Sequence, residues 1–384
     1  MFENLRVGTL FNIPIYINPS WFLVLALVTW SDAEWLVYQF PQLGVLSWVL
    51  GLVTALLLFA SVLAHELGHS LIARRQGVQV NSITLFIFGG LASLDKEAAT
   101  PGESFRVAIA GPLVSFSLFG ALNAVGYFSQ LTGPVAAVVA LLASVNLALG
   151  VFNLIPGLPL DGGNVLKALV WKITGKPYSG VAFASRVGQF FGWVGIGLGL
   201  ASLLGISNIG SVWTLLVGWF LLQNAGQSAQ AANVQRLMSD LTAADAIIPN
   251  SPVVAATESL RELANNHIIG NPIQWKKYLV TDAEGKLAGE VSITAMNKVP
   301  TSEWWNIKVE SLVEPTSVQT VSETMPLLEV INQLDEDTSE LAVIGQDDRL
   351  LGLVEKASII RRLQKRMEVE NGVTETDPEE ATAS

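Results

Sequence analysis

Ala64-His65-Glu66-Leu67-Gly68-His69 lies in the second half of an apolar run that fills residues 56–75, and residues 51–64 carry no charge at all. On a helix, positions four apart differ by about 40° in direction and roughly 6 Å in height, so the imidazoles of His65 and His69 leave one face and can grip one ion. Glu66 sits beside them, where its carboxylate can reach a water at that ion. A metal-binding pentapeptide in so apolar a segment implies hydrolytic chemistry inside a membrane.

Composition agrees. Of the 384 residues, 51% are hydrophobic and 14% charged, and the mean hydropathy is +0.46; soluble domains carry about 25% charged residues. The charge is unevenly spread. Residues 1–237 hold ten Lys and Arg against eight Asp and Glu, whereas residues 238–384 hold twelve against twenty-five. Two regions of different class meet near residue 237. The acidic second region argues against nucleic-acid binding, which needs a positive surface. The absence of cysteine excludes disulfides, thiolate metal sites and cysteine nucleophiles.

Working outward, apolar runs that span or nearly span a bilayer occupy residues 20–40, 46–73, 105–128, 134–155, 183–204 and 210–226. The fold expected is a polytopic α-helical membrane protein of about six transmembrane helices. In a six-span arrangement Arg6, Arg74, Arg75, Lys96, Arg106, Lys167, Lys172, Lys176, Arg186 and Arg236 all fall on one side, which predicts that both termini face the cytoplasm. Short alternating pieces before residue 19 read as interfacial strands, and residues 78–92 read as a membrane-associated strand ending in Gly89-Gly90. Backbone of this kind is tolerated at membrane depth only where protein or a wet cavity surrounds it. Its edge can pair with an extended substrate, which gives Gly89 and Gly90 a substrate-binding role.

Residues 1–228 thus form the membrane domain and 229–237 a linker. A soluble α/β repeat follows: Thr257-Glu258-Ser259-Leu260 recurs as Ser322-Glu323-Thr324-Met325, and each copy continues into a hydrophobic strand, a polar turn and Leu-x-Gly-x-Val. The copies divide into residues 238–302 and 303–368, each a βαββα unit, and the acidic tail 369–384 is expected to be disordered.

The third ligand follows by elimination. The chain has three histidines, and His267 belongs to the soluble repeat. Asp95, Glu97 and Glu103 lie in a polar loop, and Asp32 and Glu34 lie at the opposite membrane face. That leaves Asp161, which follows a helix break at Pro156 and Pro159 at the depth of His69. Plainer readings exist for each residue. His65 and His69 could be helix-packing polar groups, Asp161 could cap the helix that follows it, and Asn153 could satisfy backbone freed by Pro156.

The two motifs together, Ala64-His65-Glu66-Leu67-Gly68-His69 and Asn153-Leu154-Ile155-Pro156-Gly157-Leu158-Pro159-Leu160-Asp161-Gly162-Gly163, resemble the site-2 proteases, intramembrane zinc metalloproteases. Ala110-Gly111-Pro112 extends the likeness. The resemblance implies one Zn2+ per chain held by His65, His69 and Asp161, Glu66 as catalytic base, and Asn153 on substrate or oxyanion. The substrate it implies is a transmembrane protein cut within the bilayer. Members often carry Asn shortly after Ala-Gly-Pro. Here that position is Ser115, and no polar role is assigned to it.

The C-terminal repeat resembles a tandem pair of cystathionine-β-synthase-type (CBS) domains, which in many proteins bind adenine nucleotides. Both copies here lack the carboxylate that would hold ribose, ending Gly289-Glu-Val-Ser-Ile-Thr-Ala295 and Gly352-Leu-Val-Glu-Lys-Ala-Ser358. A dimerising or gating module, with homodimerisation through the pair, is the plainer expectation. The rival from another class is a CBS-regulated ion channel or transporter using His65, Glu66 and Asp161 as an ion path.

Overall fold

The apolar runs fold as helices, the form in which a chain satisfies its backbone groups without help from water. In chain order the helices are α1 (Ser20–Gln39), α2 (Leu46–Arg75), α3 (Pro101–Phe128), α4 (Gly133–Asn153), α5 (Asp161–Thr174), α6 (Pro177–Leu203) and α7 (Val212–Met238), of which α5 is a shorter helix outside the six runs. This computed structural model describes residues 4–271, 273–334 and 338–370. Among them, α1, α2, α3, α4 and α6 are long and apolar enough to cross a membrane. The sixth expected run lies in α7, which is apolar to Leu222 and polar beyond. Residues 229–237, expected as a linker, are helical and belong to the polar half of α7, and the boundary between the two compact units falls among them. They contain alanines and neither Gly nor Pro, so nothing there breaks it.

Four strands form one sheet in the order β1 (Leu5–Leu10), β2 (Ile13–Ile17), β3 (Val80–Phe86), β4 (Gly89–Leu94). The central pair is parallel, with Ile15 opposite Ile83 and Ile17 opposite Leu85. The single strand expected over residues 78–92 is instead a hairpin, and Gly89-Gly90 open its second strand. Its turn, Ile87-Phe88, lacks the usual turn residues, so the signal was tertiary. The Phe88 ring stacks on Phe220 of α7 at 4.4 Å between centroids, and the Ile87 amide donates to Ser20 Oγ at 3.2 Å. β4 is left as an edge strand with one side unpaired.

The chain divides into two compact units, Met1–Ala232 and Asn233–Ser384. The second holds two copies of βαββα. One comprises β5 (Val253–Ala255), α8 (Leu260–Leu263), β6 (Lys277–Thr281), β7 (Leu287–Ser292) and α9 (Ile293–Met296). The other comprises β8 (Gln319–Ser322), α10 (Leu327–Gln333), β9 (Glu340–Ile344), β10 (Leu350–Glu355) and α11 (Lys356–Glu370). Alternation along the strands builds the pair. Tyr278 and Val280 enter one copy's core, Leu341 and Val343 the other's, while Leu279 and Ala342 meet in a third cluster between the copies. Most of the tail expected to be disordered, residues 371–384, lies outside the described residues.

Helices α6 and α7 pack backbone against backbone. A Cβ at Gly199 would lie 2.7 Å from Leu215 Cα, whereas one at Gly197, two residues away, would meet nothing within 4 Å. Gly199→Leu is therefore expected to destabilise the membrane unit by about 1–3 kcal/mol, the usual cost of overpacking. It should lower the thermal unfolding midpoint in detergent, while Gly197→Leu leaves the midpoint nearly unchanged. Equal midpoints for the two variants would contradict the packing.

Candidate metal centre

His65 and His69 project from α2 onto α3 and α5, and the spacing that put them on one face is realised: their rings lie 5.0 Å apart between centroids. Each is fixed through its other nitrogen. His69 Nδ1 lies 2.7 Å from the Val107 carbonyl, which can only accept, so Nδ1 carries the proton. His65 Nδ1 lies 2.9 Å from the fully buried Ser115 hydroxyl, which can take its proton in the same way. Both Nε2 atoms then offer lone pairs to a common point.

Asp161 reaches that point from α5. The helix begins at Asp161 itself, with Leu160 as N-cap, so the side chain is free of the capping role. Its Oδ2 lies 3.0 Å from His65 Nε2 and 3.2 Å from His69 Nε2, and the two Nε2 atoms are 3.3 Å apart. Two lone pairs and a carboxylate oxygen facing one another at these distances repel unless a cation or protons sit among them. Ligands about 2.0–2.2 Å from a tetrahedral zinc stand at this order of separation from one another, so the donor set fits that ion. Among the described residues this is the one group of three or more His, Cys, Asp or Glu side chains close enough to share a metal.

Glycine keeps the space open. A Cβ at Gly111 of α3 would overlap His69 Nε2 and lie 2.6 Å from His65 Nε2. Val107, Gly111 and Ser115 are spaced by four and form one stripe of α3 against the imidazoles. The sequence held this signal in its i, i+4, i+8 spacing. Withholding a polar role from Ser115 is corrected by its bond to His65, which uses the hydroxyl where an Asn would use its amide.

Glu66 sits at the edge of the hairpin. Gly90 of β4 lies so close that a Cβ there would collide with Glu66 Cγ and stand 3.2 Å from its Oε1. Gly89 has φ +138°, a conformation that side chains other than hydrogen rarely adopt. Asn153 ends α4, and its amide donates to the Leu149 carbonyl at 3.0 Å, not to backbone freed by Pro156. A cavity of about 330 Å³ joins these groups, with His65, Glu66, His69, Gly90, Asn153 and Asp161 among its lining residues. His267 lies apart in the soluble unit, paired with Glu258 at 3.4 Å.

Comparison with known proteins agrees with this chemistry. The model of peptidase family M50 matches residues 53–137 and 129–195, and that of the CBS domain matches residues 309–365. The Synechocystis sp. protein sll0528, which carries a zinc metalloprotease name, is 54% identical over 367 residues, 95% of this chain and 96% of that one. Zinc metalloprotease MJ0392 of Methanocaldococcus jannaschii is 30% identical over 312 residues, covering 80% of this chain and 84% of that one. Among solved structures, a site-2 protease from the same archaeon matches at 31% identity and TM-score 0.44 over 59% of this chain and 95% of that one.

Replacing Gly111 by Ala should fill the point on which the donors converge. The purified variant is expected to retain far less than one zinc per chain by elemental analysis, whereas Gly120→Ala, which would meet nothing within 4 Å, keeps its metal. Ser115→Ala should weaken zinc binding by about 10–100-fold, the usual effect of losing a group that orients a ligand. Full zinc retention by Gly111→Ala would contradict the geometry.

Proposed function

The chain belongs to peptidase family M50, the site-2 proteases, and from that premise we propose that His65, His69 and Asp161 hold the zinc of this intramembrane metalloprotease while Glu66 moves the proton. The observation that carries the assignment is the convergence of two imidazole nitrogens and one carboxylate oxygen within 3.3 Å of one another, with the Glu66 carboxylate beside the edge strand.

When bound, the zinc supplies Lewis acidity: it polarises the scissile carbonyl and makes a water acidic enough to lose its proton near neutral pH. The residues do the rest. Glu66 takes that proton on its carboxylate and returns it to the departing amide nitrogen, a role worth about 10²–10⁴ in rate for a positioned acid–base group. Val107 and Ser115 fix which nitrogen each histidine presents. Asn153 retains one amide hydrogen beyond its bond to Leu149 and turns it to the carbonyl oxygen of the substrate, where negative charge develops.

A transmembrane substrate arrives with its peptide groups bonded within its own helix, so it must unwind before it can be cut. The open side of β4 offers backbone partners to the unwound strand, and Gly90 brings that strand's carbonyl up to Glu66. Gly and Pro in the substrate weaken its helix and favour cleavage.

The cytoplasmic side is assigned to both termini and to the soluble pair because Lys and Arg collect on that side of the membrane unit. We assign the pair to homodimerisation or gating in preference to binding adenine nucleotide. Ala295 supplies no ribose partner, and the Ser358 hydroxyl is occupied by the Glu355 backbone, accepting from its amide at 3.2 Å and donating to its carbonyl at 2.9 Å.

Glu66→Gln is expected to keep one zinc per chain and lose about 10²–10⁴ in cleavage rate on a membrane-embedded test substrate. Replacing His65 and His69 together by Ala should remove both zinc and cleavage. A Glu66→Gln protein that cuts at the wild-type rate would refute the role of the carboxylate.

A further inference from the structure

The same cavity is lined by more than the metal donors. Helix α5 contributes Asp161, Asn164 and Lys167, three apart in sequence, and the chain beyond β4 contributes Lys96 and Glu97. Lys167 is paired there with Glu97 at 3.0 Å, but the partners are unequal. The lysine side chain is 14% exposed and the glutamate 78%. The Lys167 backbone is held too, since its carbonyl and Cα pack against Gly180 of α6. The lysine backbone is therefore fixed and most of its side chain covered, while its carboxylate partner rides on an exposed loop.

A half-buried cation facing a cavity favours an anion beside it, but an ion pair with one solvent-bathed partner contributes little and is readily exchanged. Nothing in the hydrolytic step uses Lys167. We propose that Lys167 is a specificity residue: an acidic side chain of the unwound substrate displaces Glu97 and pairs with Lys167, so the enzyme prefers substrates with Asp or Glu near the cut. This rests on the protease reading of the same cavity and names the substrate feature it recognises. Lys167 stands six residues from Asp161, about 9 Å along α5. An extended peptide covers that in about three residues, which sets the distance of the acidic side chain from the scissile bond. Lys96, which lines the same cavity, adds to the preference for negative charge.

The test is a panel of single-span substrates sharing one membrane sequence, reconstituted with the full-length enzyme, with Glu, Gln or Lys at each position within five residues of a cleavage bond mapped by mass spectrometry. The wild type is expected to cut the member with Glu about three residues from the bond about tenfold faster than its Gln counterpart, a difference of about 1.4 kcal/mol. Lys167→Gln should flatten that ratio, and Lys167→Glu should invert it in favour of the Lys member, while both variants keep one zinc per chain. Charge inversion cannot arise from misfolding. A wild type that cuts Glu and Gln members equally, or a Glu preference that survives Lys167→Gln, overturns the proposal while leaving the protease reading intact. No cleavage of any member by the wild type overturns both.

Discussion

Two segments nearly a hundred residues apart meet at one point, where on the proposed reading a single cation satisfies His65, His69 and Asp161 together. Without it, two nitrogen lone pairs and a carboxylate oxygen crowd within 3.3 Å of one another in a largely buried pocket. Much of the membrane unit can be read as serving that arrangement. The stripe Val107, Gly111 and Ser115 on α3 sets the tautomers and leaves room for the ion. The break after α4 lets α5 start at Asp161. The close approach of Gly162 and Gly163 to the backbone of residues 154–158 seats that first turn. A side chain longer than hydrogen at any of these glycines would move the carboxylate or fill the space it points into.

Convergence also separates hydrolysis from conduction. An ion path strings polar groups along a pore so that each hands the ion to the next. Here the donors meet at one point, and Glu66 stands beside the free side of β4, where a peptide can be laid out. The two units then divide the work by composition. The apolar unit carries the chemistry. The acidic unit is built on two copies of one βαββα motif, joined through Leu279, Ala342 and Leu353.

Much of this was legible in the sequence. The spacing of His65 and His69, the shortage of other histidines and the Pro-broken approach to Asp161 picked out the three side chains that the fold brings together. Strands β1 and β2 followed from alternation, and both copies of the second unit's motif from the recurrence of Thr257-Glu258-Ser259-Leu260 as Ser322-Glu323-Thr324-Met325. What escaped was set by contacts between distant residues. Ile87-Phe88 turns without Gly, Asn or Asp because Phe88 stacks on Phe220, so a hairpin read as a single strand. The polar end of α7 read as a linker without its helical form, because polar composition alone does not distinguish an exposed helix from a loop. Ser115 was passed over because its hydroxyl gains meaning only when His65 is 2.9 Å away.

X-ray absorption fine structure of the zinc-loaded, purified protein addresses the central claim most directly. The account predicts two imidazole nitrogens and a carboxylate oxygen at about 2.0–2.2 Å from the metal, with loss of the oxygen contribution in Asp161→Ala. A spectrum without imidazole scattering, or one that Asp161→Ala leaves unchanged, would contradict it.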